Sequence, residues 1–265
     1  MSSCLASASQ FCCGSRGKRL SRLYLIRHGE TVWNAERRIQ GQLDIDINDN
    51  GMKQAEAAAL ALSKLGILPT LDAVVSSDLL RASRTADIIA AAAARGSGRR
   101  PARTLDPQLR EIGYGKLQGT ESDNADCKKL QSSTFNAWIE GDLSKGFPEG
   151  ETGYEFLERI LQGLRQAAGL GEAVVVVAHG GLIRWSAAQI APTPDEAKRL
   201  VKSPIVNCCC STLVYDHDSD SFHAEEWFAD LQKSSGPPRL VGKILENGKR
   251  LMGTQMGRRL ADCVM

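Results

Sequence analysis

The stretch LYLIRHGETVWN, residues 23–34, decides the fold and raises the question of function. It begins as a short apolar run, which is typical of a buried strand. The run stops at Arg27 and His28, and Gly29 follows directly. A charged and a titratable side chain are therefore expected just beyond the end of a buried strand.

Further strands and helices alternate along the chain. Apolar runs predict strands at 72–76, 173–178 and 211–215, and helical patterns cover 48–66, 79–93, 151–169 and 180–190. Asn48 or Asn50 would cap the first of these helices, Gly66 would end it, and residues 94–103 resemble an exposed connecting loop. This alternation predicts an α/β fold, a three-layer α/β/α sandwich around a mostly parallel sheet.

The charge of the chain is unevenly distributed. The formal net charge is +2, yet residues 30–230 hold 21 basic and 29 acidic side chains, and both ends of the chain are basic. Without a basic stripe in the body, a nucleic-acid partner is not expected. The positive charge that attracts any anionic ligand must therefore come from residues close to its binding site.

The composition of the two ends of the chain predicts how the chain is divided into segments. Residues 1–20 are Ser-rich, basic and free of acids, and predict either disorder or targeting; residues 21–230 form the main domain, and 231–265 a basic tail. No apolar stretch is long enough for a transmembrane segment.

The eight cysteines, three of them consecutive, favour reduced thiols, which fits a cytoplasmic protein. A plastid or mitochondrial location through the N-terminal segment is the alternative, and a homodimer stays an open alternative.

Two of the four histidines follow predicted strands directly. His28 follows the first strand and His179 follows the run at 173–178, and each precedes glycine. The carboxyl ends of parallel strands are where α/β sheets bind ligands, and Arg81 also falls just after a strand end. His217 and His223 flank a polar turn near the last strands, where solvent exposure is the simpler explanation.

Two arginines and two histidines at one sheet edge would form a clamp for phosphate oxygens. In that setting a neutral imidazole can attack phosphorus, because the cations lower its basicity and offset charge on the phosphoryl oxygens. A leaving alkoxide then needs a proton, which Glu111 in LREIGYGKLQG could supply from a partly desolvated position.

Four motifs in order resemble the histidine phosphatase superfamily, the phosphoglycerate-mutase-like proteins. They are RHGET, SSDLLRASRTA, LREIGYGKLQG and VVAHGG, and the resemblance covers roughly residues 21–228. It implies a phosphoglycerate-mutase-like fold and a small phosphorylated metabolite, such as a sugar phosphate, as substrate. It also implies a phosphohistidine intermediate, with no cofactor and no metal.

The resemblance implies a role for each matching residue. His28 would be the phosphorylated nucleophile and Glu111 the proton donor, while Arg27, Arg81 and His179 would bind the phosphoryl group. The expected substrate-binding residues are Asn34, Gln40, Gly41, Thr31 and Gly180.

The segment after Glu111 separates hydrolysis from phosphoryl shuttling. The resemblance to mutases implies paired arginines there to grip a carboxylate, but the cap segment around 120–150 contains none, and its cations are Lys128, Lys129 and Lys145. Lysines hold carboxylates with less defined geometry than arginine forks. Gln42 also stands where mutases usually have tryptophan. Both departures favour a phosphatase over a cofactor-dependent phosphoglycerate mutase.

Other classes fit the sequence less well. GSRGKRL lacks the spacing and the Ser/Thr of a P-loop, and no GxSxG elbow is present. A metal hydrolase would need more carboxylates or histidines beside the two strand-end histidines. A non-catalytic phosphate-binding regulatory protein is the remaining alternative. All five expected catalytic residue types are present, which argues against it.

Overall fold

One mixed sheet forms the centre of the protein. The computed structural model of the chain describes residues 18–98 and 100–232. In chain order the strands are β1 (Leu20–Arg27), β2 (Ala73–Ser76), β3 (Ala102–Leu105), β4 (Ala173–Ala178), β5 (Cys209–Asp216) and β6 (Ser221–Asp230). Their order across the sheet is β3-β2-β4-β1-β5-β6. The first four pair in parallel, whereas β5 runs antiparallel to both β1 and β6. The prediction of a mostly parallel sheet is confirmed.

Helices cover both faces of the sheet. They are α1 (Val32–Ala35), α2 (Asp49–Lys64), α3 (Leu80–Ser97), α4 (Ala125–Ile139), α5 (Gly153–Ala168), α6 (Gly180–Ile190) and α7 (Pro194–Lys202). On one face, α2 and α3 pack with Val175 and Val177 of β4; on the other, α5 and α6 pack with Val174 and Val176. Successive side chains of a strand point to opposite faces, so the fully apolar β4 needs both layers. The three-layer α/β/α sandwich is confirmed.

Local capping explains where the main helices begin. The side chain of Asn48 accepts a hydrogen bond from Gly51 N at 2.8 Å and caps α2, and Gly66 lies just beyond the end of that helix with a φ of +73°. A capping box of Thr152 and Glu155 begins α5. Each cap satisfies backbone N–H groups that have no partner inside the helix.

Helix α4 covers part of the segment expected to form the cap. Its Trp138 is fully buried, and its ring centroid lies 5.0 Å from that of Trp185 and 6.0 Å from that of Phe156. Phe135 packs against Trp138 and Phe147. The aromatic residues of this helix therefore pack against the core, as their helical spacing predicts.

The structure differs from the sequence expectations at both edges of the sheet. Residues 94–103 were expected to form a loop, but α3 continues to Ser97 and β3 begins at Ala102. Strand β6 was not expected, and it contains His223, which is exposed as expected. His217 is only partly exposed, since its Nε2 lies 2.8 Å from the hydroxyl of Ser21. The prediction of simple solvent exposure is wrong for His217.

Several predictions concern residues that lie partly or wholly outside the described ranges. The N-terminal segment 1–20 is described only from Lys18, and the tail 231–265 only to Gln232. The division into these segments and a main domain stays a prediction. Among the described residues, no helix is long and apolar enough to cross a membrane.

Candidate active site

The site is built where three neighbouring parallel strands end. Arg27, the last residue of β1, is opposite Ala178, the last residue of β4. Beyond the strands, His28 N donates to Ala178 O at 3.0 Å, and Ser77 N donates to Val177 O at 3.1 Å. The residues that follow each strand are therefore held at one edge of the sheet.

His28 is held in one tautomer by its own backbone. Its Nδ1 lies 2.7 Å from the carbonyl oxygen of Gly29. A carbonyl can only accept, so Nδ1 carries the proton and Nε2 presents a lone pair. The side chain is 3% exposed. The ring is therefore oriented with its nucleophilic nitrogen free.

His179 faces His28 from the end of β4. The two ring centroids are 5.3 Å apart, and His179 is fully buried. Within the part of the chain that the structure describes, neither ring nitrogen of His179 has a hydrogen-bond partner. Buried polar atoms normally have partners, so this ring is poised to bond a polar ligand.

Burial and nearby arginines keep both imidazoles neutral. Burial, followed by the charges of Arg81 and Arg27, holds the pKa of His28 well below its ordinary value of 6.5. The pKa of His179 is also lowered well below 6.5, by burial first and then by Arg81 and His28. A neutral imidazole retains the lone pair that a nucleophile needs.

Backbone carbonyls fix the guanidinium groups of Arg81, which is fully buried, and of Arg27, which is partly buried. Arg81 donates from Nη1 to Leu43 O at 2.7 Å and from Nη2 to Gly41 O at 2.6 Å, and Arg27 donates from Nη1 to Ile205 O. Burial lowers the pKa of Arg81 to about 10, so it stays charged near neutral pH.

Neither arginine forms an ion pair with an acidic side chain of the described residues. The ion pairs among the described residues include neither Arg27 nor Arg81, and the Nε atoms of both are buried without a partner there. The charge of Glu111 acts on both arginines without an ion pair, and an anion bound between them would lower the cost of keeping the two charges away from water. The arrangement is suited to a phosphate dianion, which arginines bind through charge-assisted hydrogen bonds.

Glu111 is held beside this pocket by the start of α6. Its Oε2 accepts from Gly181 N at 2.9 Å and its Oε1 accepts from Ile112 N at 2.9 Å. A side chain at position 181 would clash with Glu111 Oε1, so this close approach requires glycine. The sequence-predicted acid is thus placed next to the loop that carries His179.

The predicted substrate-binding residues lie in the loop after His28. Thr31 caps α1, and its hydroxyl donates to Gln40 Oε1 at 3.0 Å. Asn34 Oδ1 accepts from Thr31 N at 3.2 Å, which leaves its amide nitrogen for other contacts. Gly41, with a φ of +53°, presents its carbonyl to Arg81. Thr31 and Gln40 are buried, and their contact with a substrate stays a prediction.

Gly180 is the last of the predicted substrate-binding residues. It begins α6 directly after His179, and a Cβ atom built on it would lie 3.6 Å from Arg27 Nε. Its backbone therefore borders the space that Arg27 faces.

Two supporting residues were missed from the sequence. Asn207 Nδ2 donates to His28 O at 2.9 Å and lies 3.3 Å from Asn34 Oδ1, which joins the two ends of the predicted motif. Arg159 donates to Glu111 O at 3.2 Å and pairs with Glu151. Asn207 is a polar residue just before a strand, and Arg159 lies in an amphipathic helix; such patterns give no signal of these contacts.

The described residues contain no group of three His, Cys, Asp or Glu side chains placed to hold a metal ion. The site instead combines two guanidinium groups, two neutral imidazoles and one carboxyl group. Such a set can bind a phosphoryl group, attack it and transfer a proton.

Comparisons with known proteins identify the family of the chain. A model of the "Histidine phosphatase superfamily (branch 1)" matches residues 23–228. A protein of Erwinia tasmaniensis named "Probable phosphoglycerate mutase GpmB" is 33% identical over 210 residues, which are 78% of this chain and 90% of that protein.

Solved structures show the same fold. A mycobacterial glucosyl-3-phosphoglycerate phosphatase, solved in complex with VO3, is 27% identical with a TM-score of 0.59, over 79% of this chain and 99% of that one. A phosphoglycerate mutase of Bacillus anthracis has a TM-score of 0.65 at 21% identity, over 80% and 95% of the two chains, and supports the fold alone. The predicted phosphoglycerate-mutase-like fold is confirmed. The chain belongs to branch 1 of the histidine phosphatase superfamily.

Proposed function

We propose that this chain hydrolyses a small phosphorylated metabolite, such as a sugar phosphate, through a phosphohistidine intermediate. The observation that carries the proposal is the buried His28, whose Nδ1–H is held by Gly29 O and whose lowered pKa keeps Nε2 free to attack. Arg27 and Arg81, whose Nε atoms have no partner among the described residues, supply positive charge where a phosphoryl group would be bound.

The reaction would proceed in two balanced steps. His28 Nε2 forms a bond to phosphorus while the bond from phosphorus to the leaving oxygen breaks, and the Glu111 carboxyl gives that oxygen its proton. Glu111, now a carboxylate, takes a proton from water as the water oxygen bonds to phosphorus. The bond between phosphorus and His28 then breaks, inorganic phosphate leaves, and the starting protonation states return.

The cap segment supports hydrolysis over shuttling. Lys128, Lys129 and Lys145 are all exposed, and Lys128 is paired with Asp123. The aromatic residues of α4 fill the space between cap and core instead. The segment itself thus offers no buried arginine fork to retain a bisphosphorylated intermediate, whereas the similar mycobacterial protein is named a phosphatase.

Phosphoglycerate mutase activity is the second candidate function. It is favoured by the 33% identity to the Erwinia protein, which covers 90% of that protein. Both candidates use the same nucleophile, and they differ in whether the phosphoryl group goes to water or back to the substrate.

The test is phosphate release from a panel of phosphomonoesters by wild type, His28→Ala and the control His223→Ala. The expected result is turnover by wild type and by the control, since His223 is exposed on β6. We expect a loss of roughly 10³-fold or more in His28→Ala, because the nucleophile is removed. Wild type should also trap an acid-labile phosphoryl group.

Two outcomes would contradict the proposal. Persistent activity in a folded His28→Ala variant would exclude the phosphohistidine. Efficient isomerisation of 3-phosphoglycerate by wild type, dependent on 2,3-bisphosphoglycerate, would establish the mutase instead.

A further inference from the structure

Glu111 lies in a segment that has no regular secondary structure of its own. Residues 110–114, all described, connect two short 3₁₀ helices, Pro107–Leu109 and Gly115–Leu117. No ladder of hydrogen bonds from a helix or strand therefore orients the backbone of Glu111. Backbone groups away from water need partners, so side chains from other elements have to supply them.

Arg159 of α5 binds this segment with all five donors of its guanidinium group. Nη1 donates to Gln108 O at 2.8 Å and to Arg110 O at 3.0 Å, and Nη2 donates to Glu111 O at 3.2 Å. The other two N–H groups form a fork with Glu151, from Nε to Oε1 at 2.8 Å and from Nη2 to Oε2 at 2.9 Å. Because the five donors lie in one rigid plane, a single side chain fixes three carbonyls relative to one carboxylate.

Glu151 holds the chain on the other side of Glu111. Its Oε2 also accepts from Gly113 N at 2.7 Å, and its backbone N donates to Gly113 O at 2.8 Å. The side chains of Glu151 and Arg159 are only 18% and 19% exposed. Charge-assisted bonds with this little solvent contact define geometry more narrowly than exposed ion pairs do. The backbone is thus held both before and after Glu111.

The packing of α5 fixes Arg159 in turn. The guanidinium carbon lies 5.4 Å from the ring centroid of Phe156, which is fully buried. One turn further along the same face, a Cβ atom built on Gly163 would lie 3.0 Å from Leu109 Cδ2 and 3.1 Å from Gln108 Cβ. Glycine therefore lets the helix approach the segment closely enough for Arg159 to reach its carbonyls.

The carboxyl group of Glu111 depends on where this backbone lies. Its Oε2 accepts from Gly181 N at 2.9 Å, beside the loop that carries His179. Proton transfer needs the carboxyl within about 3 Å of the leaving oxygen, and a misplacement of about 1 Å can cost roughly 100-fold in rate.

We propose that Arg159, held by Glu151, is the positioning residue of the proton donor. The inference rests on the proposed function and adds to it two residues that act through Glu111 rather than on the substrate. An ion pair that served stability alone would affect all phosphomonoesters alike. A positioning pair matters most where the leaving group needs a proton.

The test is a double-mutant cycle of Arg159→Lys and Glu111→Gln, with kcat/KM measured for an alkyl phosphate and for p-nitrophenyl phosphate. Lysine keeps a cation beside Glu151, but its three donors share one atom and cannot span three carbonyls and a carboxylate. Arg165→Lys is the matched control, because Arg165 lies on the same helix and forms an equivalent fork with Asp220 in the turn between β5 and β6.

We expect Arg159→Lys to lower kcat/KM by roughly tenfold or more for the alkyl phosphate and by less than about twofold for p-nitrophenyl phosphate. In the Glu111→Gln background it should change both values by less than about twofold, because no proton donor is left to position. Arg165→Lys should change neither value. Equal losses for the two esters, or losses that multiply in the double variant, would overturn the proposal.

Glu151→Gln tests the other half of the pair and decides the matter if Arg159→Lys does not fold. Glutamine keeps an acceptor for Gly113 N but removes the charge that orients Arg159. It should give the same preferential loss for the alkyl phosphate, by roughly fivefold or more. A folded Glu151→Gln variant without this preference would overturn the inference.

A measurement without turnover separates this inference from the proposed function. The protein is labelled with ¹³C at the glutamate side-chain carboxyl carbon, and the NMR signal of Glu111 is assigned by its loss in Glu111→Gln. If wild type releases no phosphate from any ester, hydrolysis is contradicted, and a Glu111 signal that shifts in Arg159→Lys but not in Arg165→Lys supports the positioning role. An unshifted signal overturns it. If wild type releases phosphate and the two losses multiply, hydrolysis stands and the positioning role is overturned.

Discussion

His28 shows how one residue acquires two properties that an exposed histidine lacks. The carbonyl of the next residue, Gly29, fixes the proton on Nδ1, and burial beside Arg27 and Arg81 lowers the pKa of the imidazole. The same arginines that make the imidazole neutral would stabilise the phosphoryl oxygens during attack. The same two arginines therefore help to keep the imidazole of His28 neutral and provide the positive charge that would bind the phosphoryl group.

Glu111→Gln tests the proton donor at the residue scale. Glutamine keeps the size of the side chain but cannot donate and recover a proton, so turnover should fall most for phosphomonoesters with poor leaving groups. We expect roughly a 10²-fold or greater loss for an alkyl phosphate and a much smaller first-step loss for p-nitrophenyl phosphate. The measurement is kcat/KM across leaving groups of different pKa.

A matched control is Glu149→Gln, which changes an exposed glutamate of the cap that pairs with Lys116. It should leave the dependence on leaving group unchanged. Equal slowing of good and poor leaving groups by Glu111→Gln would argue against an acid role for Glu111.

Sequence reasoning predicted the side chains that the structure brings together at the site, but not those that hold them in place. His28, His179 and Glu111 belong to short motifs with local signals. Asn207 contacts His28 from 179 positions away, and Arg159 reaches Glu111 across 48 positions. Such contacts depend on how strands and helices pack, which no local pattern contains.

At the scale of elements, the start of α6 carries two glycines with different tasks. Gly181 N donates to Glu111, and a Cβ on Gly181 would clash with that carboxylate. Among the described residues, a Cβ on Gly180 would meet Arg27 and Arg184, each at an ordinary van der Waals distance of 3.6 Å. Alanine substitutions of Gly180 and of Gly181 should therefore have different effects on kcat/KM.

Gly181→Ala should displace Glu111 and lower kcat/KM by roughly tenfold or more, with the largest loss for poor leaving groups. Gly180→Ala should leave Glu111 in place, so any loss should be similar for all leaving groups. The measurement is the slope of log kcat/KM against leaving-group pKa in both variants. Identical slopes in Gly180→Ala and Gly181→Ala would contradict the assigned contact.

The edge strands show why part of the fold escaped prediction. The central β4 is apolar at every position, because helices cover both of its faces, and its sequence alone predicts a strand. In contrast, ARTL of β3 is mostly exposed and has no apolar alternation. Its pairing with β2 depends on a neighbour rather than on its own residues.

At the scale of the whole molecule, the fold concentrates positive charge that the composition conceals. Residues 30–230 contain more acidic than basic side chains, yet Arg27 and Arg81 both act on His28 at one edge of the sheet. Strands β1 and β4 are adjacent although roughly 150 positions separate them along the chain. Positive charge at this edge of the sheet thus follows from topology, although residues 30–230 carry an excess of acidic side chains.

The two buried neutral histidines make the stability of the whole fold depend on pH. Burial lowers the pKa of His28 and His179 in the folded protein below the value of 6.5 expected when unfolded. Below pH 6.5 the unfolded chain binds more protons, so the free energy of unfolding decreases as pH falls. From pH 7.0 to 5.5 the free energy of unfolding should fall by about 1 kcal/mol for each histidine that stays neutral in the folded protein.

His179→Asn removes one of these titrations and should roughly halve the contribution of the pair over that interval. The measurement is urea unfolding at pH 7.0 and 5.5 without phosphate. Ser186→Ala is the control, because it removes a buried, unpaired hydroxyl that does not titrate, and it should keep the wild-type pH dependence. The range stops at pH 5.5 because burial raises the pKa of Glu226 above 4.5, and protonation of that carboxyl favours the folded state at lower pH. An unchanged pH dependence in His179→Asn would mean that His179 is not held neutral by the fold.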